Sequence, residues 1–211
     1  MLKPMKIYSY KITRDFGFAP NPYFGICTLA TCKPDIRKLA NEGDWIIGFG
    51  GKNTNAYHKI VYLMEVSEVI SFEQYWIDER FVQKRPRFDK NLKYCYGDNI
   101  YHKNAQGEWI QEQSHHSNGI EINPNNLKRD TGRTTNVLIS TNYWYFGDDA
   151  INTPSDFAAF FPECRNYRIF QSEEDIRQFL LLKNHIENNY ERGMNGLPFS
   201  QKGKFIQYKG E

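Results

Sequence analysis

Two stretches gather the side chains that could do chemistry. In the first, Lys33 precedes a short helix predicted to begin at Pro34, and Arg37 lies one turn in. The unpaired amides and positive dipole end of a helix start favour a phosphate or carboxylate, the dipole alone contributing about 0.3–2 kcal/mol. Thr28, Thr31 and Cys32 bring small donors to the same place. Cys32, beside Lys33 and a helix start, would have its thiolate favoured and becomes a conceivable nucleophile once a base is placed near it. Upstream, Arg14-Asp15 is either a functional pair or a salt bridge holding the loop. The proline-stiffened run from Phe16 to Tyr23 presents Asn21 and Tyr23 at little entropic cost.

The second stretch carries Asp98-Asn99-Ile100-Tyr101-His102 and Ser114-His115-His116-Ser117, which titrate near neutral pH. Adjacent histidines in a strand point to opposite faces, so one of His115 and His116 enters a given pocket. That argues against a two-histidine metal clamp, and no HExxH or zinc-deaminase spacing occurs, so neither metal nor cofactor is expected. A Walker A loop, a dinucleotide-binding GxGxxG and a GxSxG elbow are also missing.

These residues need elements to hold them. Residues 5–12 alternate and predict a strand; Pro34 to Ala40 predict a short helix closed by Gly43. Gly43-Asp44 turns into a strand over 45–50, and a longer strand follows over 58–70. Ser71 caps a helix over about 72–79. Between 83 and 135 loops dominate, with the basic run Lys84-Arg85-Pro86-Arg87, short strands near 99–103 and 108–111, and a turn cluster at Asn123-Pro124-Asn125-Asn126. Val137 to Ser140 and Tyr143 to Phe146 predict core strands joined by a tight turn at Thr141-Asn142. Helices follow at about 155–161 and from Ser172 towards Gly193. The expected architecture is one α+β domain spanning 1–211. Its core covers about 5–82 and 136–211, and a long loop-rich insertion covers about 83–135.

The chain has 211 residues, 40% apolar and 25% charged, enough to bury a core without disulfides or metal. Its net charge of +2 excludes a non-specific nucleic-acid coat, so any nucleotide must be held by a local pocket. The mean hydropathy of −0.70 and the lack of a long apolar run exclude a membrane-spanning helix. Aromatic residues make up 16%, and there are 19 asparagines, a composition that suits stacking on a planar ligand and reading its edge. Cys27, Cys32, Cys95 and Cys164 lack metal-site spacing, and no signal core follows Met1, which together predict a reduced cytoplasmic protein.

The order of these blocks resembles the nucleotide modification associated domain family, type two, of prokaryotes and phages. The resemblance is carried by Tyr8-Ser9-Tyr10, the run from Arg14 to Pro22, the run from Cys27 to Pro34 and Gly43-Asp44-Trp45. The later blocks Gly97 to His102, Gln111-Glu112 and Ser114 to Ser117 extend it. It covers about residues 5–147 and implies a place in DNA-base or nucleotide modification rather than a particular reaction. The element order is also similar to PUA, ASCH and EVE domains, which implies a mixed β pseudo-barrel with flanking helices, a cleft for a base and a C-terminal helix. Two readings follow. As a binding module for a nucleotide or modified base, possibly within DNA, the protein would hold phosphate with Lys33 and Arg37. Thr28 and Cys32 would assist, Tyr23, Tyr101 or Trp45 would stack, and Asn21, Asn99, Asp98 and His116 would read polar edges. As an enzyme on the same substrates it would use His102 or His115 as acid and base, Asp15 or Asp98 as orienting partner, and Arg14 as anion stabiliser.

Overall fold

Short-range signals account for most elements. The computed structural model describes residues 4–163 and 166–208; Cys164 and Met1 lie outside them. In chain order the elements begin with β1 (Ile7–Ile12), β2 (Cys27–Leu29), α1 (Pro34–Leu39), β3 (Trp45–Gly50), β4 (Ile60–Glu65), β5 (Glu68–Ser71), α2 (Phe72–Ile77) and α3 (Leu92–Cys95). They continue with β6 (Tyr101–Lys103), β7 (Trp109–Gln111), α4 (Pro124–Thr131), β8 (Asn136–Ser140), β9 (Tyr143–Tyr145), β10 (Tyr167–Phe170), α5 (Glu173–Asn189) and β11 (Gly193–Met194). Short 3₁₀ segments cover Glu79–Lys84, Gly147–Asp149 and Ser155–Phe160. Ser71 and Ser172 close capping boxes with Gln74 and Asp175, which explains where α2 and α5 begin. No helix among the described residues is long and apolar enough to cross a membrane.

The chain divides into two compact units. The first comprises the described residues of Met1–Asp15, Ala40–Ser67 and Ser140–Phe199. Its six-stranded sheet runs β10-β1-β3-β4-β9-β11, with β1 parallel to β3 and β9 parallel to β11. Ile7 pairs with Trp45, and Ile47, two residues on, with Leu63 and then Trp144, all on one face, where Phe179, Leu182 and Ile186 of α5 pack. On the other face, register aligns Tyr10, Gly48, Tyr62 and Tyr145. The Tyr62 hydroxyl donates to that of Tyr10 at 3.0 Å. A Cβ on Gly48 would lie 2.2 Å from Tyr62 Cε1, so the tyrosines occupy the room a side chain would take. Gly48→Ala is therefore expected to destabilise by about 1–3 kcal/mol, read as a lower urea midpoint at unchanged slope.

The expected pseudo-barrel is not formed: among the described residues this sheet is open, ending on the two-residue β11 and the four-residue β10, which do not pair. The segment expected as one strand over 58–70 is two strands broken at Val66-Ser67, with β4 and β5 in different sheets. Likewise Thr141-Asn142 joins strands of different sheets and closes no hairpin.

The second unit comprises Phe16–Leu39, Glu68–Ile139 and the described residues of Ser200–Glu211. It holds a three-stranded sheet, β2-β8-β5, and the β6-β7 hairpin. Its core gathers Phe18, Phe72, Tyr75, Phe81, Tyr96, Tyr101 and Ile139. The segment read as loop-rich supplies α3, β6, β7 and α4. The Asn123-Pro124 pair starts α4 rather than forming a turn. Asn123 Oδ1 accepts from the amides of Asn125 and Asn126, and proline sits in the first turn, where it sacrifices no hydrogen bond.

Candidate active site

The second unit places three groups in line. Cys32 Sγ faces His116 Nε2 at 3.8 Å, within the longer reach of sulfur, and His116 Nδ1 donates to Asp130 Oδ2 at 2.9 Å. His116 and Asp130 are fully buried, whereas Cys32 is partly exposed. A thiol, a base and a carboxylate that orients the base form the arrangement of a cysteine nucleophile.

Each member is fixed by its local chain. Cys32 and Lys33 adopt left-handed backbone, φ 56° and 41°, immediately before Pro34 opens α1. Non-glycine residues there cost about 1–3 kcal/mol each, and such strain collects at functional sites. The Cys32 amide donates to Asp130 Oδ1 at 2.9 Å. Arg37, wholly buried, points back from α1: Nε donates to the Cys32 carbonyl and Nη1 to that of Asn136, both at 2.9 Å, and Nη2 to that of Asp130. One guanidinium thereby locks the backbone of the nucleophile to that of the carboxylate. The β6-β7 register sets Tyr101 opposite Gln111. The Tyr101 hydroxyl then donates to Asp130 Oδ2 at 2.9 Å, and Gln111 Nε2 donates to the Tyr101 hydroxyl and the His116 carbonyl, both at 3.1 Å.

Arg129 completes the site. Its Nε and Nη2 bond the two oxygens of Asp130 at 2.9 and 3.1 Å, and Nη2 lies 3.1 and 3.3 Å from the His116 ring nitrogens. About a third of its side chain is exposed. Burial alone would raise the Cys32 thiol, but His116, through charge and hydrogen bond, outweighs it with help from Arg129, and the pKa falls below its ordinary value. Burial alone would lower His116, yet Cys32 and Asp130 lift it. Asp130 would likewise be raised by burial, but His116 and Arg129 hold it far below the usual carboxylate range. All three directions favour a thiolate–imidazolium pair on an ionised aspartate.

Sγ, a ring nitrogen and a carboxylate oxygen within 4.8 Å of one another could also ligate a metal ion. The surroundings oppose it. Asp130 already accepts from Cys32, His116, Tyr101 and Arg129, and a metal ion would sit against a guanidinium that bonds Asp130 and lies 3.1 Å from the His116 ring. The donor set fits proton chemistry.

The sequence from 4 to 205 matches the family described as nucleotide modification associated domain 2. The chain belongs to that family. The family's name implies a role in nucleotide modification, and the match extends beyond the blocks that carry the resemblance, through the C-terminal part. No curated protein and no solved structure matches the chain.

Of the residues singled out in this family member's sequence, the structure brings Cys32, Lys33, Arg37, Tyr101 and His116 together. Arg37 is wholly buried and each of its three nitrogens donates to a backbone carbonyl, so it is turned into the protein rather than presented to a phosphate. His115 lies among the rings of Phe16, Phe18 and Tyr96, with Nδ1 on the Ile206 carbonyl. His102 pairs with Glu112 at 2.9 Å and stacks on Trp76. Asn21, Thr28, Asp98 and Asn99 belong to a separate buried network: Thr28 Oγ1 donates to Asp98 Oδ2 at 2.6 Å, Asn21 Oδ1 accepts from Lys84 at 2.8 Å, and Asn99 donates to the Tyr75 carbonyl at 2.8 Å. The Tyr23 hydroxyl accepts from Gln201. Arg14, Asp15 and Trp45 belong to the first unit. There Asp15 is buried and accepts from the Tyr145 hydroxyl at 2.6 Å, and Trp45 is buried beside Trp144 and Phe179, with no face left for stacking. The sequence reading did not single out Asp130 or Arg129, and it named Gln111 only among the blocks that carry the family resemblance. Reading Asn123-Pro124 as a helix start would have placed Arg129 and Asp130 on an ordered turn.

Proposed function

We propose that the protein is an enzyme that modifies a nucleotide or DNA base, with Cys32 as a covalent nucleophile. The reading rests on one observation, the alignment of Cys32 Sγ, His116 and Asp130. The thiolate attacks an electrophilic carbon and forms a C–S bond while the bond to the leaving atom breaks. The Nε2 proton of His116 passes to that leaving atom. A second nucleophile, deprotonated by the now neutral imidazole, then displaces the thiolate and restores the starting pair. Asp130 keeps the ring in register and its charge favours the imidazolium. Arg129 and Lys33 border the cysteine and suit an anionic substrate such as a nucleotide phosphate. A protein that only held a modified base would gain nothing from this ion pair, and Asn21, Asn99 and Tyr101 already spend polar groups on the protein itself.

Alkylation tests the pair directly. A free thiol, with a pKa of about 8.5, is almost wholly protonated at pH 6. Cys32, its pKa lowered by His116, is expected to react faster with iodoacetamide at that pH than an ordinary cysteine, followed by peptide mass spectrometry, with a chelator making no difference. His116→Ala should move the rate profile up towards an ordinary thiol. Slow alkylation at pH 6 that rises only near pH 8–9 would overturn the proposal.

A further inference from the structure

We infer that the second unit binds a polynucleotide strand in a cleft separate from the Cys32 site, so that the substrate is a nucleotide within a polymer. This rests on the nucleotide-directed reading above. The cleft has a volume of about 370 Å³, and Trp76, Arg85, Arg87, Phe88 and Gln113 are among the residues that line it. Its aromatic floor is ordered in advance: His102 stacks on Trp76 at 4.0 Å and 13°, the Arg85 guanidinium covers the Trp76 ring at 4.0 Å, and Glu112 holds His102. Val82 and Phe88 remain 45% and 40% exposed at its edge, an apolar platform of the kind on which bases stack.

Charge on the wall suits a phosphate backbone. Arg85 is tied by Nη2 to the Trp76 carbonyl and covers the Trp76 ring, which fixes its charge on the cleft wall. Among the described residues the Arg87 guanidinium pairs with Asp89, in an exposed ion pair of little net worth, so a phosphate can compete for it. These are the arginines of the basic run Lys84-Arg85-Pro86-Arg87, which the catalytic site does not use.

Position links the cleft to the chemistry. Gln113 on its wall is three residues from His116, at most about 11 Å between Cα atoms even if fully extended. A strand with a flanking base on the exposed ring of Phe88, its backbone against the arginines, is thereby held close to the triad.

The test uses the full-length Cys32→Ala protein and fluorescein-labelled single-stranded DNA and RNA of about 12 nucleotides, a typical site size. Anisotropy is expected to show binding that weakens with salt. Arg87→Glu should weaken it about tenfold and reduce the logarithmic salt slope by about one phosphate contact. Phe88→Ala should weaken it at unchanged salt slope. Comparison of the DNA and RNA arms identifies which polymer is preferred. Binding that is missing, or indifferent to both substitutions, overturns the inference, as does equal kcat/KM of the unsubstituted protein for a mononucleotide and its oligonucleotide. If an oligonucleotide binds through Arg87 but no nucleotide is ever altered, the cleft stands and the enzyme reading falls.

Discussion

Cys32→Ala is expected to abolish the proposed turnover, and His116→Ala to lower kcat by about 10²–10⁴-fold, the usual contribution of a placed general acid and base. The assay incubates nucleoside phosphates and modified-base oligonucleotides with the protein and follows mass changes. The size of the effect comes from geometry. With Nδ1 fixed on Asp130 at 2.9 Å, the ring has one free nitrogen, and it faces sulfur at 3.8 Å. Loss of the imidazole removes both the charge that stabilises the thiolate and the proton the leaving group needs. Because the two residues act as a unit, the double variant should be no slower than Cys32→Ala alone. Asp130→Asn keeps the shape but lets Nδ1 lose its charged acceptor, so kcat falls while mononucleotide KM changes little. Full turnover by Cys32→Ala would end the covalent mechanism outright.

Local chemistry made much of the framework legible. Alternation marked β1, Pro34 marked α1, and the strands expected near 99–103 and 108–111 are β6 and β7. The sequence could not show what β6 and β7 do. Their register puts Tyr101 opposite Gln111, and through those two side chains the hairpin grips Asp130 and His116. Cys32, His116 and Asp130 are brought together by contacts 84 and 98 residues apart, and no local periodicity reports on such distances. The histidine pair shows the same limit. His115 and His116 sit in a turn, and the residues that decide between them, Phe16, Phe18 and Asp130, are remote in the chain. Apolar runs also conceal breaks: 58–70 reads as one strand because Val66 is apolar, yet β4 and β5 belong to different sheets.

Lys84→Met is expected to destabilise the protein by about 3–5 kcal/mol at pH 7, the cost of stripping a buried charge of its partner. Lys84 Nζ is buried and donates to the Asn21 and Ile26 carbonyls and to Asn21 Oδ1, at 2.6–2.8 Å. Asp98, equally buried, accepts from Thr28 and from the Tyr75 hydroxyl at 2.8 Å. Burial pushes Asp98 up to about 6 against the pull of Lys84, and burial pushes Lys84 down to about 8 against the pull of Asp98. Both shifts fix the sign of the pH dependence. Between about pH 4 and 6 the folded state binds the extra proton, on Asp98, so stability falls as pH rises. Between about pH 8 and 10 the unfolded state binds it, on Lys84, and stability rises again. In Lys84→Met the second limb disappears, and the loss is smaller at pH 5, where Asp98 can be neutral, than at pH 7. Lys84→Met with Asp98→Asn should recover most of the deficit, because no lone charge is left inside. Additive losses in that cycle, measured by urea unfolding, would show that the two groups are not coupled. The consequence reaches the active site through the chain. Lys84 pins the loop that leads through Thr28 to Cys32, and Asp98 stands three residues before Tyr101, so weakening the pair should slow the alkylation of Cys32 before the unit unfolds.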